Sequence, residues 1–85
     1  MASYSVFIKP SAVKELEAVP TRDRQRIARR IQRLGDDPRP PGAEKLSGLD
    51  RYRLRQGNYR IIYAIEDDRL VVLVVRIGHR REVYR

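Results

Sequence analysis

Arg51, Arg53 and Arg55 recur at every second position, and Arg60, Arg76, Arg80 and Arg81 follow them toward the end of the chain. A guanidinium is planar, permanently charged and able to donate paired hydrogen bonds to a phosphate. Several of them on one surface can hold a phosphate chain and stabilise negative charge that develops on it. They cannot take up a proton, because arginine stays charged in proteins. The same stretch contains His79, the single histidine of the chain and a candidate proton acceptor near neutrality. It also contains Tyr84, whose ring can stack on a base or whose hydroxyl can orient a substrate group.

Strands must position these side chains. Successive residues of a strand point to opposite faces, so Arg51, Arg53 and Arg55 share one face while Tyr52 and Leu54 share the other. Gly57-Asn58 has the form of a two-residue hairpin turn, with glycine free to take a positive φ. That turn pairs Arg55 with Arg60, Leu54 with Ile61 and Arg53 with Ile62. In the last strand, Val71, Leu73, Val75 and Ile77 form the more apolar set, which leaves Arg76 with the arginines. A three-residue loop, Asp67-Asp68-Arg69, gives this register and sets Arg76 across from Arg60. A tighter turn slips the register by one and buries Arg76 without an evident partner. A merely solvated face is the competing explanation for the arginines. Like charges placed opposite one another destabilise a sheet, however, and a face shaped for stability alone alternates its signs. The pattern points to an anion.

The 85 residues make one domain, 1–85, near the small end of what folds without covalent staples. There are no cysteines, which suits a reducing cytoplasm. No apolar run approaches the ~20 residues that span a bilayer, and the N-terminus lacks a secretory signal pattern. The net charge is +8, and all but Lys9, Lys14 and Lys45 of the nineteen basic residues are arginine. Such a balance favours nucleic acid first and an acidic protein second.

Residues 4–8 are expected to form a short strand ended by Lys9-Pro10. Ser11 is a candidate N-cap for a helix through Val19, with Ala12, Leu16 and Val19 on its apolar stripe. Pro20 stops that helix, Thr21 caps a second one running to Leu34, and Gly35 ends it. On the second helix Ile27, Ile31 and Leu34 oppose Arg22, Arg26, Arg29 and Arg33. This stripe is a solvated face or an accessory phosphate surface, with Arg26 and Arg33 as its candidates. The prolines of residues 36–42 exclude helix or inner strand. The expected order is β-α-α-β-β-β, an α+β domain with a three-stranded antiparallel meander packed on a helical hairpin and its arginine face left open.

These residues together resemble the RelE family of the RelE/ParE toxin superfamily. The resemblance spans nearly the whole chain. Its most specific parts are Leu46 to Gly48 with Tyr52-Arg53-Leu54-Arg55, Gly57-Asn58-Tyr59-Arg60 with Tyr63, and Gly78-His79-Arg80 with Val83-Tyr84. It implies the toxin of a type II toxin–antitoxin pair, which cuts mRNA in the ribosomal A site and is held in check by an acidic antitoxin protein. Matched by position, the family's basic residues fall on Arg53, Arg55, Arg60 and Arg80, and its late tyrosine on Tyr84. The type member has lysines on the middle strand where this chain has Arg53 and Arg55.

RNA cleavage without a metal or cofactor uses the substrate's own 2′-hydroxyl as nucleophile. It needs a proton acceptor, positive charge for the phosphorane oxygens and a donor for the leaving 5′-oxygen. Arg55 and Arg60 suit the charge role, Arg80 the charge or donor role, and His79 is the candidate acceptor. Arg51, Arg53, Arg76 and Arg81 are candidates for holding phosphates. No histidine or carboxylate grouping has metal-site spacing. Two other functions fit the same chain: a ParE-like inhibitor of DNA gyrase, and a non-catalytic module that binds structured RNA.

Overall fold

A computed structural model describes residues 3–48 and 50–79. Their elements run β1 (Ser5–Ile8), α1 (Pro10–Glu17), α2 (Thr21–Arg33), β2 (Glu44–Lys45), β3 (Tyr52–Gln56), β4 (Tyr59–Glu66) and β5 (Val71–His79). The strands form one sheet in the order β1-β5-β4-β3-β2, with β1 parallel to β5 and the other pairs antiparallel. The expected α+β class holds. The sheet gains β2, a two-residue strand that the order read from the sequence lacks. Among the described residues no helix is long and apolar enough to cross a membrane.

Both helices lie on one face of the sheet and bury their stripes there. Ala12, Val19, Ile27, Ile31 and Leu34 meet Leu54, Ile61, Tyr63, Ile65, Val72, Val74 and Ile77 in a single core cluster. The helices begin differently from expectation. Pro10 opens α1 with Lys9 at the N-cap, since a proline at the first helical position gives up only an N–H that has no partner anyway. Thr21 is the first residue of α2 after Pro20 at its N-cap, and neither helix has a side-chain cap. After α2, Gly35 matters for closeness: a Cβ there would stand 3.0 Å from the Tyr4 carbonyl oxygen.

The first hairpin forms as the sequence specifies. Gly57 takes φ +61°, and Gln56↔Tyr59, Arg55↔Arg60, Leu54↔Ile61 and Arg53↔Ile62 are cross-strand partners. The second corrects the expectation. Its loop has four residues, 67–70, so Glu66 pairs with Val71 and Tyr63 with Val74. A straight ladder from that start would aim Arg76 into the core. Instead the register shifts between Ile62 and Tyr63, Val75 is left unpaired, and Arg76 sits opposite Ile62 with Gly78 opposite Arg60. A bulge of this kind changes which face the following residues take. The core set of β5 is therefore Val72, Val74 and Ile77, not Val71, Leu73, Val75 and Ile77. Keeping a charge out of the core is the physical reason for both the expectation and the bulge.

The longer loop has its own use for Asp67. The Arg39 guanidinium grips its carboxylate with two hydrogen bonds of 3.1 and 2.9 Å, and the Tyr4 hydroxyl donates a third at 2.7 Å. Arg39 also donates from Nε to the Tyr52 hydroxyl at 3.0 Å. Residues 36–42 are thereby tied to β3 and the β4–β5 loop, and through Asp67 to Tyr4 just before β1. The Arg39 bonds, then the Tyr4 bond, push the Asp67 carboxyl down from 3.8 to about 2. A lowered folded-state pKa contributes stability that is complete above about pH 4 and is lost as pH falls toward 2. Thermal unfolding of wild type and Asp67→Asn should therefore differ at pH 6 and converge between pH 4 and 2. A gap that stays constant down to pH 2 would mean that the ionised carboxylate is not what stabilises the clamp.

Candidate functional site

With the helices on one side, the opposite face of the sheet is uncovered by them. Cross-strand pairing puts Arg53, Ile62 and Arg76 in one row of that face and Arg55, Arg60 and Gly78 in the next. A depression of about 340 Å³ opens there, lined by Gly42, Glu44, Arg53, Arg55 and Arg60. Three arginines from two adjacent strands thus meet around one concavity, as their two-residue spacing requires.

Glu44 is the residue that sequence reasoning missed. It lies on β2 opposite Arg53, and its Oε1 accepts a hydrogen bond from Arg53 Nη2 at 2.9 Å. The Arg53 side chain is 15% exposed and that of Glu44 is 67% exposed. The carboxylate therefore orients Arg53 and still presents itself to solvent at the depression. It is the only carboxylate among the lining residues, and a carboxylate at this position can accept a proton where an arginine cannot.

The other candidates divide. Arg51 precedes β3 and donates to the Asp50 carbonyl at 3.3 Å, so no ladder position fixes it in the arginine rows. Arg76 stands at the end of its row, where β1 has already finished. Its Nε donates to Glu15 Oε2 at 3.2 Å, while Glu15 Oε1 accepts the Ile77 N–H at 2.9 Å. The α1 carboxylate thus completes an otherwise open strand edge and holds Arg76 against it.

His79 belongs to the other face. It pairs with Tyr59, their rings meet edge to face at 5.8 Å, and both line a depression with Glu15, Ala18 and Val19 of the helical layer and with Arg76, which Glu15 draws away from the Arg53, Arg55 and Arg60 depression. The structure does not bring His79 to Arg55 and Arg60. Arg26 and Arg33 are also on the helical side, where Arg26, Arg29, Arg30, Arg33 and Gln56 line a separate depression of about 270 Å³. Arg80, Arg81 and Tyr84 lie outside the described residues.

Comparison with known proteins agrees with this fold. A sequence-family model described as the ParE toxin of the type II toxin–antitoxin system parDE matches residues 6–84. A RelE-like toxin protein of Escherichia coli is 30% identical over 80 residues, covering 91% of this chain and 83% of the relative. The mRNA interferase toxin RelE of E. coli K12 is 29% identical over 87 residues, covering 96% and 90%. In three dimensions the chain is similar to the archaeal RelE–RelB complex from Pyrococcus horikoshii OT3, with a TM-score of 0.84 at 29% identity over 95% of this chain and 99% of that one. A five-stranded sheet with a helical pair on one face, matched along almost its whole length by these relatives, identifies the chain as a RelE-like toxin of the RelE/ParE family of type II toxin–antitoxin systems.

Proposed function

We propose that this toxin is an endoribonuclease that cuts mRNA in the ribosomal A site in the cytoplasm, using no metal ion or cofactor. The observation that carries the reading is the convergence of Arg53, Arg55 and Arg60 with Glu44 around one open depression. The E. coli K12 relative bears the name mRNA interferase, which supports the same chemistry.

In this reading the Glu44 carboxylate takes the proton of the substrate 2′-hydroxyl as its oxygen attacks the adjacent phosphorus. Arg55 and Arg60 stabilise the phosphorane oxygens, while Arg53 is held by Glu44 and steers the incoming phosphate. The P–O5′ bond then breaks, the 5′-oxygen takes up a proton, and a 2′,3′-cyclic phosphate and a 5′-hydroxyl end remain. Arg80 serves the phosphorane or the leaving oxygen, and Tyr84 stacks on a base at the cut. Arg26, Arg33 and Arg81 add attraction to RNA outside the reacting centre.

The partner we propose is an acidic antitoxin. The net charge of +8 calls for it, and the Pyrococcus relative was solved as a complex with RelB. A mostly helical chain wrapping the toxin would bury more than the ~1,600 Å² of a standard interface.

One finding favours a second reading. The matching family model carries the ParE description, and a ParE-like protein would inhibit DNA gyrase and cut nothing. Purified toxin should cleave ribosome-bound mRNA in a reconstituted translation reaction and leave gyrase supercoiling intact. Blocked supercoiling without cleavage selects the gyrase reading. RNA binding with neither effect selects a non-catalytic module.

A further inference from the structure

The open face of the sheet changes character along its strands. Its cross-strand rows run Ser5–Val71–Glu66, then Phe7–Leu73–Ala64, then Arg76–Ile62–Arg53–Glu44, then Gly78–Arg60–Arg55. Neighbouring rows are two residues apart, roughly 7 Å. An aromatic and apolar row therefore borders the arginine rows directly.

Phe7 is the exceptional member. It is 56% exposed, more than any other large hydrophobic side chain among the described residues. Core packing does not explain it, because Val6 and Ile8 supply the side of β1 that packs on the helices. A polar residue is what an outward strand position ordinarily takes, as Ser5 does on the same face. Beside Phe7 the row continues through Leu73 to the small Ala64. An exposed ring next to a track of cations is the arrangement that binds single strands: phosphates lie on the charges and a base stacks on the ring, with little regard to sequence.

We propose that Phe7 is a nucleobase-stacking subsite that holds one base of a single-stranded RNA whose backbone follows the arginine rows. The proposal rests on the reading of this face as the RNA site and adds a position to it. Phe7 lies two rows along the strands from Arg60 and Arg55 and two and three strands across from them, roughly 17–20 Å away. The base it holds therefore belongs to a nucleotide removed from the cut, and the ring contributes to capture and register and not to the chemical step.

The test uses a short single-stranded RNA, 2′-O-methylated throughout so that it cannot be cut, with 2-aminopurine placed at each position in turn. Stacking on an aromatic ring quenches that base. One position should be quenched by the wild-type protein. Phe7→Leu, which keeps apolar bulk without a ring, should abolish the quenching and weaken binding roughly 5- to 150-fold. Phe7→Tyr should keep both. The log–log salt slope should be unchanged in Phe7→Leu and flatter in Arg53→Ala, which loses a phosphate contact. In cleavage, Phe7→Leu should raise KM and leave the single-turnover rate at saturation alone. The site is exposed, so neither substitution should move the unfolding midpoint.

The proposal is overturned if Phe7→Leu binds and quenches like wild type, if Leu and Tyr weaken binding alike, or if wild type does not bind the RNA. It is also overturned if Phe7→Leu spares the RNA and weakens only the antitoxin complex, since the ring then serves a protein. Oligonucleotide binding needs neither ribosome nor cleavage, so the two readings fail separately. Ring-dependent quenching by a protein that cuts nothing removes the enzyme reading, and cleavage with ring-independent binding removes the stacking site.

Discussion

Arg55→Ala and Arg60→Ala should each slow single-turnover cleavage of ribosome-bound mRNA by about 10²–10³-fold, the usual cost of removing one preorganised donor from a developing oxyanion. Both side chains line the same depression on adjacent strands, so the double variant should lose less than the product of the two effects. Glu44→Gln separates two roles of that carboxylate. The amide can still accept a hydrogen bond from Arg53 but cannot take a proton. If Glu44 is the proton acceptor, the rate falls by about 10²–10⁴, and added formate restores part of the activity of Glu44→Ala. If Glu44 only orients Arg53, Gln is near wild type and Ala is impaired without rescue. His79→Gln is the contrast. Its side chain is on the helical face against Tyr59, so the rate and its pH profile should not change. A His79→Gln variant that lost a pH limb would return the histidine to the mechanism and count against Glu44.

The parts of this site that were legible in the sequence are those set by local rules. The two-residue period of β3 and the Gly57-Asn58 turn determine that Arg53, Arg55 and Arg60 share a face, and neither depends on distant residues. The helical stripes are equally local, and Ile27, Ile31 and Leu34 are buried as expected. What was not legible is long-range. Glu44 follows three prolines on a strand of two residues, with no periodicity to mark it, and only pairing with Arg53 gives it a place. Arg39 looked like part of a linker, yet its guanidinium reaches Asp67 far along the chain. The bulge at Val75 offsets the register that a four-residue loop, 67–70, would otherwise impose. His79 is a different case, because its signal was present. Continuing the strand through Gly78 puts His79 in phase with Ile77, on the core side. The candidate acceptor role rested on residue type alone and ignored that phase, and β5 does run through His79.

The largest effect on stability should come from Tyr63, which combines both kinds of information. Its ring is completely buried and stacks on Tyr52 at 5.8 Å, with 23° between the planes. Its hydroxyl donates to the Pro38 carbonyl at 2.7 Å, which joins β4 to residues 36–42. Burial, above all, pushes the phenol up to about 12, so it remains a donor throughout the working pH range. Tyr63→Ala removes ring and hydroxyl and leaves a cavity in the centre of the core, at a cost of about 3–5 kcal/mol. Domains of this size have about 5–15 kcal/mol in all, so a substantial part of the protein should be unfolded at 37 °C. Tyr63→Phe keeps the ring and strands a buried carbonyl, which should cost about 1–3 kcal/mol. Urea unfolding should show both as lower midpoints at an unchanged slope. The Phe variant should also weaken cleavage, because residues 36–42 lead directly into Glu44 and include Gly42 at the rim of the depression. A Phe variant as stable as wild type would mean that Arg39 and the prolines hold this segment without the phenol. Glu44 would then owe its position to its pairing with Arg53 and to the Arg39–Asp67 clamp behind it.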